Sequence, residues 1–479
     1  MTGSKNISLQ YEQIALGAPD FPALVSSDMT ITNAQLWSIV EAFAAKMQEY
    51  GVKPGTLIAV NTTDMVVSLA SLLATSLIGA EYVVAKPSLA SAKVLKPAYF
   101  FKTAEVTGSD RVMFFNIDET WGPAQQKRSV ERDQHDTEKP WLYLHTSGTT
   151  GQPKYFNLTQ TLVSDRSTAV AGDFPFQKTR FVSLASCNSR PFFARAIAAL
   201  LNCCTIVDSF DPEVWQAKGV TLVCASPSQI KAVLNEAEFK NKLSEIEVSG
   251  AHLPDDECKL LLSNFERVID VYGASETNKS FANIKTLDAQ GALVTTGHKL
   301  DSALEIISEN GAQCQADEIG TVRVKNTYTI GGYLNGANTS FRDGWFYPGD
   351  LGNWGANGEL VLLGRTDDVI NLGGLKVNAK LVDTVLRSID GIEDGICFKN
   401  PKPDGRESLI AFIKVGALEN HDACVHTAKQ LTAEILGVAM APQTIRVVNE
   451  IPVDQQGNPD RKHCENLVLD RTNSRKAKG

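Results

Sequence analysis

The sequence has no surplus of basic residues. It contains 46 lysine and arginine residues against 55 aspartate and glutamate residues, which gives a formal net charge of −9. This balance argues against nonspecific binding to nucleic acid, which depends on a basic face. Residues 471–478 form a short basic tail, and we interpret this tail as a solvated terminus.

The cysteine spacing and the apolar stretches argue against a disulfide-bonded, secreted or membrane protein. The nine cysteines show no C-x-x-C spacing, which argues against a disulfide framework or a zinc site and favours buried thiols in a reducing compartment. Residues 1–13 lack the apolar core of a signal peptide, and the apolar stretches 65–80 and 192–207 are short and interrupted. We therefore expect a cytoplasmic protein without membrane contacts.

The sequence does contain an alternation of apolar strands and helices. Strand-like runs at 57–60 and 81–84 flank a helical stretch at 65–78, and the same rhythm returns between residues 181 and 225. Asn33 is the expected cap of an earlier helix. Such alternation predicts a parallel sheet with helices on its faces. Because 479 residues are too many for one core, we expect an α/β protein of two or three domains.

A loop rich in hydroxyl groups and glycines follows the apolar run 141–144. Glycines let backbone N–H groups turn towards an anion, serine and threonine add hydroxyl donors, and Lys154 adds a mobile positive charge. The loop is not a Walker loop, because no Gly-Lys-Ser/Thr opens a helix here. Its chemistry suits phosphate binding, although a loop of this composition taken alone is more often an ordinary turn. The candidate ligands are Thr146, Ser147, Gly148, Thr149, Thr150, Gly151 and Lys154.

A second cluster follows the apolar run that ends at residue 271. Its aromatic ring, Tyr272, can stack on a purine, and Gly273 permits close approach of a ligand to the backbone. Glu276 offers hard carboxylate oxygens to Mg²⁺. The candidate residues of this cluster are Tyr272, Gly273, Ala274, Ser275, Glu276 and Thr277.

A third cluster comprises residues 344–350 and 364–370, with Asp350 and Arg365 as its charged members. A carboxylate can accept hydrogen bonds from both ribose hydroxyls, and a guanidinium can reach the same sugar or a phosphate.

Together the clusters resemble the signatures of the adenylate-forming superfamily. The matching stretches are T-S-G-T-T-G-x-P-K, Y-G-A-S-E-T, G-W-F-Y-P-G-D and G-R-T-D-D-V-I. This superfamily includes acyl-CoA synthetases, adenylation domains and luciferases. The resemblance spans nearly the whole chain.

The resemblance implies ATP and Mg²⁺ as ligands and a reaction that passes through an acyl-adenylate. It implies that the first loop holds the β- and γ-phosphates, that Glu276 holds the metal and that Thr146 and Lys154 act in catalysis. It implies that Tyr272 packs on adenine.

The resemblance also implies the rest of the nucleotide site and the domain organisation. The turn Gly250-Ala251 is expected against adenine, and Asp350 and Arg365 at the ribose. A large N-terminal domain of sheets and helices, 1–365, is expected to connect through a hinge at Asp367 to a small mobile α+β domain, 366–479.

One position departs from the superfamily pattern P-x-x-x-x-G-K-x-x-R. The lysine of that pattern neutralises charge during adenylate formation, and this chain has Asn458 in its place. A neutral amide cannot supply that cation, and the loss of one such group costs a factor of about 10²–10³ in rate. Lys462, four residues on, is a candidate catalytic substitute; its alternative interpretation is an ordinary surface lysine.

The pattern around the acid pocket favours a simple, aryl or fatty carboxylic acid over an α-amino acid. Ala194 stands where many acyl-CoA synthetases have a gating histidine, and no aspartate that would bind an amine is recognisable. The candidate pocket residues are Asn188, Phe193 and Ser249.

The sequence therefore predicts an AMP-forming acid–CoA ligase. One alternative is an adenylation enzyme that loads the phosphopantetheine of a carrier protein or uses an unusual nucleophile. The other is an adenylation-deficient homologue that binds nucleotide or acyl-adenylate, and Asn458 is the feature that supports it.

Overall fold

A computed structural model describes most of the chain. The described residues are 4–84, 94–103, 115–123, 130–132, 136–146, 153–234, 239–299, 302–366, 369–372, 375–399, 408–417, 419–453 and 460–476. The helices are α1 (Ile7–Gly17), α2 (Asn33–Glu49), α3 (Met65–Ile78), α4 (Gln160–Ala169), α5 (Arg190–Leu201), α6 (Pro212–Ala217), α7 (Pro227–Leu234), α8 (Asp255–Asn264), α9 (Ala379–Arg387), α10 (His421–Leu436) and α11 (Arg461–Lys476).

The strands alternate with helices at residues 57–84 and 180–225, as the sequence predicts. They are β1 (Pro22–Val25), β2 (Thr30–Thr32), β3 (Leu57–Asn61), β4 (Glu81–Val84), β5 (Tyr99–Thr103), β6 (Phe115–Ile117), β7 (Pro140–Thr146), β8 (Lys154–Thr159), β9 (Arg180–Ser183), β10 (Thr205–Val207), β11 (Leu222–Ala225), β12 (Leu243–Ser249), β13 (Phe265–Ala274), β14 (Asn278–Leu287), β15 (Leu293–Lys299), β16 (Ala303–Ile307), β17 (Gly320–Lys325), β18 (Phe341–Arg342), β19 (Trp345–Phe346), β20 (Asp350–Trp354), β21 (Leu360–Arg365), β22 (Val369–Leu372), β23 (Leu375–Asn378), β24 (Ile392–Lys399), β25 (Leu409–Val415) and β26 (Thr444–Val447).

Two large sheets dominate the N-terminal part of the chain. The first has the order β15-β14-β13-β12-β11-β9-β10-β1-β2, and its strands from β13 to β1 run parallel. The second has the order β6-β5-β3-β4-β7-β8, and it is parallel except for its β7–β8 edge. The predicted α/β class with parallel sheets is confirmed.

The chain divides into two compact units. The first comprises Met1–Leu304, Val324–Phe346 and Asn357–Leu360, and the second comprises Glu305–Arg323, Tyr347–Ala356 and Val361–Gly479. In the second unit β24, β25 and β26 form a small sheet, and β22 pairs with β23. The expected boundary after residue 365 stays a prediction.

The start of α2 corrects one prediction. The cap is Thr32, whose side chain accepts a hydrogen bond from the Gln35 backbone while the Gln35 side chain accepts from the Thr32 backbone. This reciprocal capping box satisfies two backbone N–H groups at once. Asn33 is instead the first helical residue, and its buried side chain accepts from the Tyr11 hydroxyl at 3.1 Å.

The cysteines agree with the expectation of buried thiols. All nine cysteines are buried and free. Among the helices of the described residues, none combines the length and the apolar character that crossing a bilayer requires.

A buried ion-pair cluster lies beside the nine-stranded sheet. Glu247 on β12 is 2 % exposed and accepts hydrogen bonds from Arg195 on α5 and Lys279 on β14. Lys279 also pairs with Asp173 at 2.6 Å. Burial alone would raise the pKa of Glu247, but the two cations outweigh it and lower the pKa to about 2. The carboxylate is therefore ionised at neutral pH and balances two buried positive charges.

Replacement of Glu247 by glutamine should strongly destabilise the first unit. The substitution keeps the side-chain shape but leaves Arg195 and Lys279 without that counter-charge, and breaking a buried pair costs about 3–5 kcal/mol. Urea unfolding monitored by tryptophan fluorescence measures the change.

Glu245→Gln is the matched control on the same strand. Glu245 pairs with Arg267, whose side chain is 52 % exposed, and such a pair contributes about 1 kcal/mol or less. Equal losses of stability in the two variants would contradict the role of the buried cluster.

Candidate functional site

The cluster 272–277 lies at the carboxyl end of the parallel sheet. Ser249, the last residue of β12, pairs with Val271 on β13, so the Gly250-Ala251 turn begins at the end of the sheet where residues 272–274 of β13 extend past β12. Gly250 has a φ of 92°, a conformation that glycine adopts without strain. Carboxyl ends of parallel strands are the usual ligand edge of α/β sheets.

Gly273 is required by close packing. A side chain here would place its Cβ 2.5 Å from the carbonyl oxygen of Asn278 on the returning strand β14. Tyr272, which pairs with Phe281 across the same hairpin, is half-buried.

Two arginines and an asparagine anchor the carbonyl groups of this turn. Arg166 on α4 donates to the carbonyls of Ser275 at 3.2 Å and Glu276 at 2.8 Å. Arg190 on α5 donates to Ala274 at 3.1 Å, and Asn326 donates to Thr277 at 2.9 Å. The backbone that presents Glu276 is thus fixed from three separate parts of the chain.

Arg166 holds this position in spite of its burial. Burial, and then the like charge of Arg190, lower the pKa of Arg166 to about 9, while Glu276 acts in the opposite direction. The guanidinium therefore remains protonated at neutral pH and also binds the carbonyl of Tyr328.

Glu276 is a buried carboxylate, 6 % exposed. Its Oε1 accepts a hydrogen bond from the Tyr333 hydroxyl at 2.6 Å, and its Oε2 accepts none from the described residues. No group of three or more acidic, histidine or cysteine side chains forms a metal site in the described ranges. A single carboxylate with one unoccupied oxygen fits Mg²⁺, which keeps water and phosphate oxygens as most of its ligands.

Lys154 lies next to the same tyrosine. Its Nζ is 4.8 Å from the centre of the Tyr333 ring. Asn335 anchors the neighbouring chain, since its Oδ1 accepts from the Tyr155 backbone at 2.6 Å and its Nδ2 donates to Pro153 at 2.9 Å. Tyr333 therefore connects the cation that follows the first loop with the carboxylate of the second cluster.

Thr146 and Lys154 are paired across the β7–β8 edge, so the intervening loop begins and ends at facing residues. The loop candidates Ser147, Gly148, Thr149, Thr150 and Gly151 lie outside the described residues.

The three candidate pocket residues have different surroundings. Asn188 donates to the carbonyl of Thr62 and accepts from the Ser68 hydroxyl at 3.2 Å. Phe193 is 1 % exposed and packs edge-on against Tyr82 with ring centres 5.9 Å apart. Ser249 accepts from Arg195 at 3.3 Å, which connects it to the buried ion-pair cluster.

The second unit contains both charged members of the third cluster. There Arg365 pairs with Asp350 at 3.1 Å and donates to the carbonyl of Pro348 at 2.8 Å. The backbone N–H of Thr366 donates to the carbonyl of Gly349 at 2.7 Å, which is a further contact between the two segments of the cluster. Asp350 and Arg365 are therefore adjacent, as one shared ligand would require.

Lys462 lies exposed in the first turn of α11. Burial raises the pKa of Glu465 one turn on, and Lys399 and Lys462 oppose that rise. Asn458 and the expected hinge residue Asp367 lie outside the described residues.

Sequence reasoning missed Arg166, Arg190 and Tyr333. Each lies in an element remote in sequence from the turn that it contacts, and none belongs to a recognised motif. A single arginine in a helix gives no signal of this role before the fold is known.

Comparison with known proteins gives the family. The profile of the family described as AMP-binding enzyme matches residues 11–334. Oxalate–CoA ligase of Arabidopsis thaliana is 24% identical over 528 residues, covering 96% of this chain and 98% of that protein. D-alanine–D-alanyl carrier protein ligase of Bacillus licheniformis is 23% identical over 497 residues, covering 94% and 97%.

Longer relatives and solved structures extend the comparison. A plipastatin synthase component of Bacillus subtilis is 23% identical over 496 residues and covers 96% of this chain, which spans only 14% of that protein. The structure of o-succinylbenzoate CoA synthetase of Bacillus subtilis with its acyl-adenylate intermediate has the same fold, with a TM-score of 0.82 at 19% identity over 97% of this chain and 99% of that one. The chain belongs to the AMP-binding enzyme family, within the adenylate-forming superfamily.

Proposed function

We propose that the chain is an AMP-forming carboxylate ligase. It activates a carboxylic acid with ATP and transfers the acyl group to a thiol, that of CoA. The observation that carries this proposal is Glu276, a buried carboxylate whose backbone is held by Arg166 and whose side chain is oriented by Tyr333. Burying a carboxylate costs free energy unless partners compensate it, so an anchored, buried carboxylate at the ligand edge of the sheet favours an active site.

The first half-reaction joins the acid to AMP. A carboxylate oxygen attacks the α-phosphorus of ATP, and the bond to the β-phosphate oxygen breaks and releases pyrophosphate. Thr146, the loop 147–151 and Lys154 hold the β- and γ-phosphates. Tyr272 and the Gly250-Ala251 turn contact adenine, while Asp350 and Arg365 bind the ribose.

Mg²⁺ supplies positive charge that offsets the charge developing on the phosphate oxygens. Glu276 provides its protein oxygen ligand, and Tyr333 fixes the orientation of that carboxylate. Lys154 adds a second positive charge beside Tyr333.

The second half-reaction transfers the acyl group. The thiol sulfur attacks the carbonyl carbon, the bond to the AMP oxygen breaks, and the thiol proton leaves to solvent. The CoA ligase among the relatives, which matches this chain over 98% of its length, supports CoA as the acceptor. The carrier-protein ligase, which matches over 97% of its length, supports the phosphopantetheine of a carrier protein as the second candidate.

Replacement of Glu276 by glutamine should reduce acid-dependent pyrophosphate release by about 10²–10³-fold. Glutamine still accepts the hydrogen bond from Tyr333 but lacks the charge that holds the metal. The thermal midpoint should fall, because the substitution also removes the negative charge that offsets the buried cations Arg166 and Arg190. Pyrophosphate release titrated with Mg²⁺, together with thermal unfolding, measures both effects.

Tyr333→Phe is the matched control for orientation, since it removes only the hydroxyl that contacts Glu276. Its activity should fall less than that of Glu276→Gln, and its Mg²⁺ dependence should remain. Full turnover in Glu276→Gln would contradict the metal role.

Lys462 should become dispensable when a lysine is restored at position 458. If Lys462 supplies the missing cation, Lys462→Ala should reduce adenylation by about 10²-fold and Asn458→Lys should restore it in the double variant. Steady-state pyrophosphate release from the two single variants and the double variant measures this coupling. If Lys462→Ala has wild-type adenylation activity, Lys462 is a surface lysine.

A further inference from the structure

Arg190 is a cation in an electrostatically unfavourable position. It is the first residue of α5, where Ser189 caps the helix by accepting from the Phe192 backbone at 3.4 Å. The amino end of a helix carries partial positive charge, so it stabilises anions and disfavours cations. An arginine here gains stability when an anion joins it.

Glu276 attracts the Arg190 guanidinium electrostatically, but among the described residues it does not form an ion-pair contact with it. Arg190 forms no ion pair among them, and its guanidinium makes one hydrogen bond, from Nη2 to the Ala274 carbonyl at 3.1 Å. Its Nε is buried and has no hydrogen-bond partner in the described part of the chain. The carboxylate of Glu247 is already paired with Arg195 and Lys279.

Neighbouring arginines add to the positive charge around Arg190. Burial, and then the like charge of Arg195, lower the pKa of Arg190 to about 10, and Glu276 partly opposes this shift. A group with this pKa is still charged at neutral pH. Arg166, whose pKa is lowered by burial and by Arg190, adds another positive charge to the same region. A buried cation without a counter-charge is costly, and a bound anion relieves that cost.

The position of Arg190 connects the adenylate turn with the candidate acid pocket. Its hydrogen bond ends on Ala274, inside the cluster assigned to the nucleotide. Asn188 lies two residues before it and Phe193 three residues after it. The residue as a whole is half-buried, whereas its Nε is buried.

We propose that Arg190 binds a second anionic group of the acid substrate, so that the enzyme activates dicarboxylic acids. One carboxylate reacts with ATP, and the other pairs with the Arg190 guanidinium, whose planar donors match a carboxylate. This inference rests on the proposed ligase function and specifies its substrate class. Arg190 would then be a specificity-determining residue that does not take part in the bond changes.

The test compares each diacid with its monoamide, which keeps the shape but lacks the second charge. Succinate, glutarate, adipate and phthalate are assayed against their monoamides by pyrophosphate release from Mg·ATP. The same compounds are added to the AMP-bound protein, and the thermal midpoint is measured. We expect at least one diacid to exceed its monoamide by about 10- to 100-fold in kcat/KM and to raise the midpoint further.

Arg190→Gln removes the charge, and Arg267→Gln is the matched control, since Arg267 is half-exposed and paired with Glu245. Arg190→Gln should lower the ratio of kcat/KM for the preferred diacid to that for its monoamide by about 10- to 100-fold. The ratio is the readout because loss of the hydrogen bond to Ala274 affects turnover of both compounds alike. Arg267→Gln should keep the wild-type preference. If Arg190→Gln fails to fold, the diacid-to-monoamide ratio of the wild type still decides.

The outcomes separate the inference from the proposed function. Pyrophosphate release that is equally fast with diacids and monoamides keeps the ligase and overturns the diacid inference, as does a preference that survives Arg190→Gln. If the wild type binds AMP but no diacid stabilises the complex beyond its monoamide, the inference is also overturned. Failure to bind AMP at all overturns the ligase function itself.

Discussion

The anchoring of residues 274–277 by buried arginines is the interaction on which the site depends. This turn must hold a carboxylate in a largely dry environment, and Arg166 binds its carbonyl groups with donors that stay charged at neutral pH. A charged donor to a buried carbonyl makes a stronger hydrogen bond than a neutral one. Glu276 can therefore keep one position before any metal or nucleotide arrives.

The first unit has two kinds of buried or partly buried charged side chains, those paired with one another and those that lie near the proposed ligand site. Around Glu247 the carboxylates and cations are paired, and these ion pairs connect β12 with α5 and β14. Around Glu276 the cations Arg190 and Lys154 have no ion-pair partner among the described residues. Because ATP and the acid are both anions, unpaired cations here are a source of binding energy in the complex.

Features that depend on residues close together in the sequence, such as helix bounds, could be predicted. Helix α3 has the predicted bounds, because Asp64 caps its start and Gly79, with a φ of 69°, ends it. Thr146 and Lys154, which belong to one contiguous motif, also pair across the β7–β8 edge, a pairing that was not predicted. The contacts of Arg166 and Tyr333 with Glu276 join residues 110 and 57 positions apart, and no local pattern specifies such pairs. The cap of α2 was mispredicted although Gln35 at the third helical position indicated Thr32.

Product analysis tests the central claim most directly. The wild-type chain is incubated with Mg·ATP, an acid panel and CoA, and nucleotide and acyl products are identified by mass spectrometry. The account predicts AMP and pyrophosphate in equal amounts, with acyl-AMP accumulating when CoA is omitted and acyl-CoA forming when it is present. ADP and phosphate as products, or ATP left intact by a nucleotide-binding chain across the whole panel, would contradict it.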